Sequence, residues 1–471
     1  KAFFLKNYLL FFFILAVCPS FRNSFFFYLL GCVRFPLTKH KGINIMSVMN
    51  KAYAALTIFL LAYLLFIFFP KKRTLVAATS SASLLLLRVL SFPETFSVIN
   101  WNVMGIFVGT LVVADIFMES RVPAFLAEKI AFHARNTALA ILAICALAGF
   151  ISAFVENVAT VLIVAPIALS LAKKLKINPT QMMIAIAVSS NLQGTATLIG
   201  DPPSMLLGGF AKMNFGDFFI YKGRPSIFFA VELGALASFV VLYYLFRRNT
   251  KKAELICHEK IRSWIPTILL VLLIVLLALS SFWDTGFSYM AGILCMVFAG
   301  ISFFWEKMIN KGSILKGIKK LDWDTTFFLM GIFILVGAIT LTGWIDQFSQ
   351  LLSTLIGNNI LLGYILIIVL SVALSAFIDN VPFLAAMLPV ALTVSQNLHI
   401  RPELFLFGLL IGASLGGNIT PIGASANIVA CGLLKKEGYS VSFKEFLKVG
   451  LPFTFAAVLT ASIFVWIVWG M

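Results

Sequence analysis

The sequence predicts an all-α polytopic membrane protein built from two inverted-topology repeats, each with a re-entrant helical hairpin and a broken transmembrane helix. Composition, the spacing of apolar runs and an internal duplication carry that reading. Sixty-one per cent of the 471 residues are apolar and 12% are charged, against about 45–50% and about 25% in soluble chains. Apolar runs recur at 53–69, 137–154, 226–246, 264–283, 286–304, 324–344, 360–377 and 453–470. Each is long enough to cross a ~30 Å hydrocarbon core at about 1.5 Å per residue. One such run fits a buried core helix; a series of them does not. The runs are continuous rather than alternating with period two, which excludes a membrane β-barrel.

The net charge of +17 is not a nucleic-acid signature. Basic residues cluster in short loops between apolar runs, as at Lys71–Arg73, Lys173–Lys174 with Lys176, Arg247–Arg248 with Lys251–Lys252, and Lys307 to Lys320. This is the positive-inside pattern, so the charge reports orientation in a bilayer of the inner-membrane type. The six cysteines (Cys18, Cys32, Cys145, Cys257, Cys295, Cys431) include no CxxC pair, so neither a disulfide framework nor a zinc site is expected. No GxxxxGK[ST] phosphate loop occurs. Residues 1–45 begin with Lys1 and are crowded with phenylalanine. They read as a signal-like segment, an extra membrane segment or, the reading preferred, an over-extended reading frame with its start at Met46 or Met49.

The duplication orders the rest. Ser152-Ala153-Phe154-Val155-Glu156-Asn157-Val158 recurs as Ser375-Ala376-Phe377-Ile378-Asp379-Asn380-Val381, an offset of 223 positions. At the same offset Pro166 falls on Pro389, Pro179 on Pro402, Gly194 on Gly417, Thr197 on Thr420 and Gly200 on Gly423. The domains expected are repeat 1 over 46–247, a basic cytoplasmic linker over 248–262, and repeat 2 over 263–471. Arg135 and Lys173, Lys174 and Lys176 flank the first motif's helix pair, whereas Asn358-Asn359 and Ser395-Gln396-Asn397 flank the second. The same motif on opposite sides of the membrane is an inverted repeat. Hairpins are therefore expected at about 137–175 and about 360–398, with tips at Glu156-Asn157-Val158 and Asp379-Asn380-Val381-Pro382.

Each hairpin precedes a helix that cannot be continuous, at about 180–212 and about 403–434. Gln193 to Pro203 and Gly416 to Asn427 hold the glycines and prolines that break them. Backbone groups freed at membrane depth must meet protein, water or ligand. Such breaks aim half-helix dipoles at a midplane site. Asn157 and Asn380, at duplicated tips, are the first candidate ligands. Thr160, Asn191, Thr195, Thr197, Gly200, Ser414, Asn418, Thr420, Gly423, Ser425 and Asn427 join them as candidate substrate- or ion-binding positions, the hydroxyls and amides as sources of oxygen. The alternative for any one of these is that it satisfies a backbone group freed by the break, and for the two tip asparagines it is interhelical glue. Glu156, Asp379 and Asp201 are candidate coupling carboxylates, against the alternative of solvated or capping acids. Sodium is expected near Asn157 and Asn380. Asp115 and Glu232 read as structural, Arg88 as snorkelling, and no histidine lies in a motif.

With these residues in place the chain resembles the ion transporter superfamily of arsenite permeases, NhaD-type antiporters, the melanocyte P protein and sodium-coupled carboxylate carriers. The segments that carry it are 155–160, 196–204, 377–383 and 418–427. The nearest likeness is to the ArsB/NhaD and P-protein-like branch. The resemblance implies a scaffold and a transport domain, elevator-like alternating access, and hairpin tips and helix breaks that enclose substrate and, in several branches, sodium. Carboxylate carriers read Ser-Asn-Thr at each tip; here the tips read Glu-Asn-Val and Asp-Asn-Val. The function expected is therefore secondary transport of a small inorganic ion or anion, coupled to sodium or protons, as sodium/proton antiport or arsenite/anion transport. A sodium-coupled carboxylate or sulfate carrier is the alternative; an ion channel or the membrane subunit of a pump with a soluble ATPase partner is the alternative of another class. The partners expected are the substrate ion, the lipid bilayer and a second copy in a homodimer, with no nucleic acid. No nucleophile–base or metal-ligand set suggests an enzyme.

Overall fold

A computed structural model describes residues 45–175, 177–248, 259–284, 286–310 and 314–470. The reading of 1–45 lies outside those residues apart from Ile45, and so does most of the linker reading. From Asn50 onward the chain is one compact unit. Its helices are α1 (Ile45–Phe68), α2 (Arg73–Leu86), α3 (Phe92–Ser97), α4 (Trp101–Glu119), α5 (Val122–His133), α6 (Thr137–Ser152), α7 (Asn157–Leu175), α8 (Thr180–Gly194), α9 (Pro202–Ala211) and α10 (Ile227–Phe246). The second half adds α11 (Ile265–Ser280), α12 (Met290–Asn310), α13 (Ile314–Lys320), α14 (Trp323–Leu341), α15 (Trp344–Ile356), α16 (Ile360–Ser375), α17 (Asn380–Asn397), α18 (Pro402–Gly416), α19 (Ser425–Lys436) and α20 (Phe443–Trp469). Among the described residues eight helices are long and apolar enough to cross a membrane. The protein is an integral multi-pass membrane protein. Three of those helices, α4, α7 and α18, are absent from the apolar runs read off the sequence. Polar or basic residues such as Asp115, Lys173 and Ser414 interrupt them, although most of each is buried.

The duplication reaches down to the caps. Asn136 caps α6 by accepting from Leu139 N at 2.9 Å, and Asn359 caps α16 by accepting from Leu362 N at 3.1 Å. Asn100 caps α4 and Asp322 caps α14 in the same way, at 3.1 and 3.0 Å. Trp101 and Trp323 each turn the indole N–H back to a carbonyl five residues earlier, Phe96 O and Ile318 O. Pro166 and Pro389 interrupt α7 and α17.

Two contacts show that the halves run in opposite directions. Lys222, in the loop after α9, reaches Glu403 at the start of α18 at 2.6 Å. Lys173 at the end of α7 reaches Glu437, just past α19, at 2.6 Å. So α18 starts on the face where α8–α9 finishes, and the reverse holds for α8. The Glu403 hydrogen bond also holds the Lys222 ammonium above its ordinary pKa.

The helices gather into two bundles. In one, α10 lies along its repeat partner α20, with the hairpins α6–α7 and α16–α17 and both broken helices around them; α19 packs on α7 and α9 on α17. In the other, partners are exchanged: α2 lies along α14 and α12 along α4. Asn102 stitches the latter pair, accepting from Gly292 N at 2.7 Å and donating to Phe287 O at 3.3 Å. Lys320 binds Asp115 at 3.0 Å and Glu119 at 2.7 Å, which gives Asp115 the structural role read for it.

Orientation yields a prediction. Asn397, exposed at the end of α17, is on the face opposite Lys173 and Glu437, because α17 belongs to the inverted half. A single cysteine introduced at Asn397 is expected to react with an impermeant maleimide from outside the cell. Labelling from the cytoplasmic side alone would reverse the topology.

Candidate functional site

The two tips and two breaks meet inside the first bundle, and the meeting is symmetric in its hydrogen bonds. Thr197 Oγ1 donates to Ala153 O, and Thr420 Oγ1 donates to Ala376 O, each pair 44 residues apart. Ser204, in the first turn of α9, donates back to Thr195 O at 3.2 Å and Gly194 O at 3.4 Å. Asn427, its equivalent in α19, donates to Thr420 O at 2.9 Å and Gly417 O at 3.0 Å. These bonds tie each half-helix to the end of the one before it and satisfy carbonyls that the break frees.

Gly200 and Gly423 are required by close approach. A Cβ on Gly200 would lie 2.5 Å from Gly194 O, 2.9 Å from Ala153 O and 3.0 Å from Ser152 O. One on Gly423 would lie 2.5 Å from Gly417 O and 3.0 Å from Ala376 O. Each break thus gathers carbonyl oxygens from the preceding half-helix and from the hairpin's first arm.

The halves join through asparagines. Asn191 Nδ2 donates to Asn418 Oδ1 at 2.9 Å and to Asn427 Oδ1 at 3.0 Å, while Asn418 Nδ2 donates to Val188 O at 3.3 Å. All three are buried, so the cluster glues α8 to the turn that follows α18 and to α19. Thr195 Oγ1 turns back to Asn191 O at 3.5 Å and Thr160 Oγ1 to Glu156 O at 3.2 Å. Ser414 is buried in the last turn of α18.

The tips differ. Asn157 is buried and donates Nδ2 to Asp201 Oδ2 at 3.1 Å, while Ser190 Oγ donates to its carbonyl at 3.2 Å. Asn380 is half-buried, and Ser425 is exposed. Asp379 caps α17 through Val381 N at 3.0 Å and turns its other oxygen to Arg73 Nη1 at 2.6 Å. Glu156 lies half-buried on the first tip. Of the candidates named from sequence, Asn157 meets Asp201 and Asn191 meets Asn418 and Asn427, whereas Ser425 faces outward and Asp379 is engaged by the second bundle. Sequence reasoning did not single out Arg73, Ser190 or Ser204. The 223-residue offset from Asn427 leads to Ser204; Arg73 follows a basic turn as the first residue of α2 and has no counterpart in the other repeat.

A family model described as a citrate transporter, CitMHS, matches residues 63–412. The chain belongs to the CitMHS family. An uncharacterized transporter of Mycobacterium tuberculosis is 30% identical over 427 residues, covering 88% of this chain and 97% of that protein. The P protein of Mus musculus is 27% identical over 490 residues, covering 86% of this chain and 59% of its own length. In fold, the Alcanivorax borkumensis YdaH transporter superposes with a TM-score of 0.57 at 13% identity over 89% of this chain and 98% of that one. Neisseria gonorrhoeae MtrF gives 0.53 at 14% over 80% and 82%. This CitMHS protein is a secondary transporter of the ion and carboxylate superfamily, and a channel reading finds no support among these relatives.

Proposed function

We propose that the protein moves a small ion by alternating access, the bundle of hairpins and broken helices translating against the bundle of α1, α2, α4, α11, α12 and α14, with a cation coupled to the movement. On this reading the repeats are 46–247 and 263–471, their hairpins are re-entrant, and the substrate lies between the tips. The observation that carries it is the paired set of breaks, where carbonyl oxygens of the half-helix end and of the hairpin's first arm gather beside Gly200 and Gly423. Carbonyl oxygens suit a hard monovalent cation such as sodium. The carbonyls of Ser152, Ala153 and Gly194 in one half, and of Ala376 and Gly417 in the other, are the groups that would hold it.

Two substrate readings follow. Glu156 and Asp379 at the tips oppose a multiply charged carboxylate, which favours an inorganic ion and the ArsB/NhaD-like branch, including sodium/proton antiport. The family's description as citrate transporters, and the helix N-termini at Asn157, Pro202, Asn380 and Ser425, favour a carboxylate or another anion. Uptake into proteoliposomes separates them: arsenite, sodium, chloride, sulfate and carboxylates, with the sodium and pH gradients imposed one at a time. Saturable uptake driven by one gradient, without an ATPase, is the result expected. Flux that ignores both gradients would overturn the coupled-carrier reading. Asn157→Ala and Asn380→Ala are each expected to lower uptake at least about 100-fold, as losses of well-placed polar groups do, with the protein still in the membrane. Normal uptake by either variant would remove that residue from the site.

A further inference from the structure

The two bundles meet at an ion pair that ties a tip of one to the other. Arg73 opens α2 and is held on its own bundle by three contacts to α14. Nη2 donates to Thr325 Oγ1 at 2.8 Å, Nε lies 3.5 Å from Asp324, and the guanidinium sits 4.8 Å from the centre of the Phe328 ring. Asp379 is held on the hairpin by its bond from Val381 N. The 2.6 Å contact between Arg73 and Asp379 spans elements anchored separately, and Tyr63 Oη donates to Pro382 O at 2.7 Å beside it. The side chains are only 21% and 32% exposed, so the pair is shielded more than a surface ion pair.

We infer that Arg73 is a built-in counter-cation for Asp379: in this conformation its guanidinium occupies a tip carboxylate that takes the coupling cation in the other. The inference rests on the alternating-access reading. When the hairpin bundle moves, α14 keeps Arg73 and α17 keeps Asp379, so the two must part. An exposed tip carboxylate then needs another cation, and a small monovalent one fits the oxygen-rich break next to it. On return, Arg73 displaces that cation. The basic residues Lys71 and Lys72 beside Arg73 place the exchange at the cytoplasmic end.

The repeat symmetry makes the device one-sided. Exchanging the conformations of two inverted repeats generates the opposite state, and would bring Glu156 towards the start of α12, as Asp379 lies against the start of α2. No lysine or arginine occurs from 263 to 306. Glu156 therefore finds no tethered cation in the opposite state, and release by an internal competitor belongs to one side of the membrane.

The test uses the full chain with Arg73→Gln, Asp379→Asn and the charge-swapped double variant R73D/D379R. Spin labels at Leu87, exposed at the end of α2, and Gln396, exposed near the end of α17, report the position of one bundle against the other. The wild type is expected to show one dominant distance. Each single variant should raise a second distance population about tenfold relative to the first, equivalent to about 1.4 kcal/mol of lost preference, and the swap should restore the first. In proteoliposomes Arg73→Gln should lower net uptake about tenfold, the same factor, while exchange of cation-loaded carrier is spared. Unchanged distances in both single variants would overturn the inference, as would net uptake and exchange falling together. Distances that shift while the wild type carries none of the tested ions would sustain the latch and defeat the transport reading instead.

Discussion

Gly200→Ala is expected to leave little folded protein, and Gly423→Ala the same. A methyl at Gly200 would sit 2.5 Å from a carbonyl oxygen of α8 and within 3.0 Å of two more at the end of α6. Those oxygens belong to backbone, so no rotamer change relieves the clash. Overpacking a core typically costs about 1–3 kcal/mol when side chains can adjust, and here helix ends must separate. The separation also pulls Thr197 from Ala153 O, and Thr420 from Ala376 O in the second half. That exposes carbonyls which nothing else in a bilayer interior can satisfy. Size-exclusion profiles of fluorescently tagged protein after graded heating measure the effect. Gly300→Ala and Gly432→Ala are the controls, since a Cβ at either meets nothing within 4 Å. They should keep or slightly raise stability, as alanine is the better helix former. A Gly200→Ala profile matching Gly300→Ala would mean that the backbone at the break yields to a methyl group.

The glycine pair also shows why so much of this fold was legible. Backbone crowding admits few residue types, so Gly200 and Gly423, like the caps Asn136 and Asn359, keep their identity in both copies. A fixed offset then exposes them. Charge distribution supplied the inversion, which the Lys222–Glu403 and Lys173–Glu437 pairs express as contacts. Arg73 escaped because its role is not repeated: its partner lies 306 residues away, and Lys71 and Lys72 beside it supply an ordinary explanation for a basic loop. The tips looked equivalent in sequence, yet Asn157 is closed over Asp201 whereas Asn380 stands at a tip held by Arg73. Position 424, the counterpart of Asp201, is alanine, so the asymmetry was written in one residue whose consequence only the packing reveals.

Asp201→Asn and Glu156→Gln are expected to uncouple transport. Asp201 is 7% exposed, and its described polar partner is the Asn157 amide at 3.1 Å. No lysine or arginine lies within ion-pairing distance of it among the described residues, in contrast to Asp379. A buried carboxylate with no basic partner is costly unless a cation or a proton joins it. The carbonyls of Ser152, Ala153 and Gly194, next to Gly200, supply the remaining oxygens for such a cation. Asparagine at 201 keeps the shape and can still accept from Asn157, so a purely structural acid would lose only about 1 kcal/mol, the net value of a hydrogen bond. A coupling acid would lose the response itself: uptake would flatten against external sodium, or against pH, while some uncoupled movement persisted. Initial rates across both titrations, in proteoliposomes of each variant, decide between the two. If Asp201→Asn and Glu156→Gln both retain the wild-type dependence on sodium and on pH, coupling does not pass through the first tip, and Asp379 with its arginine is left to carry it alone.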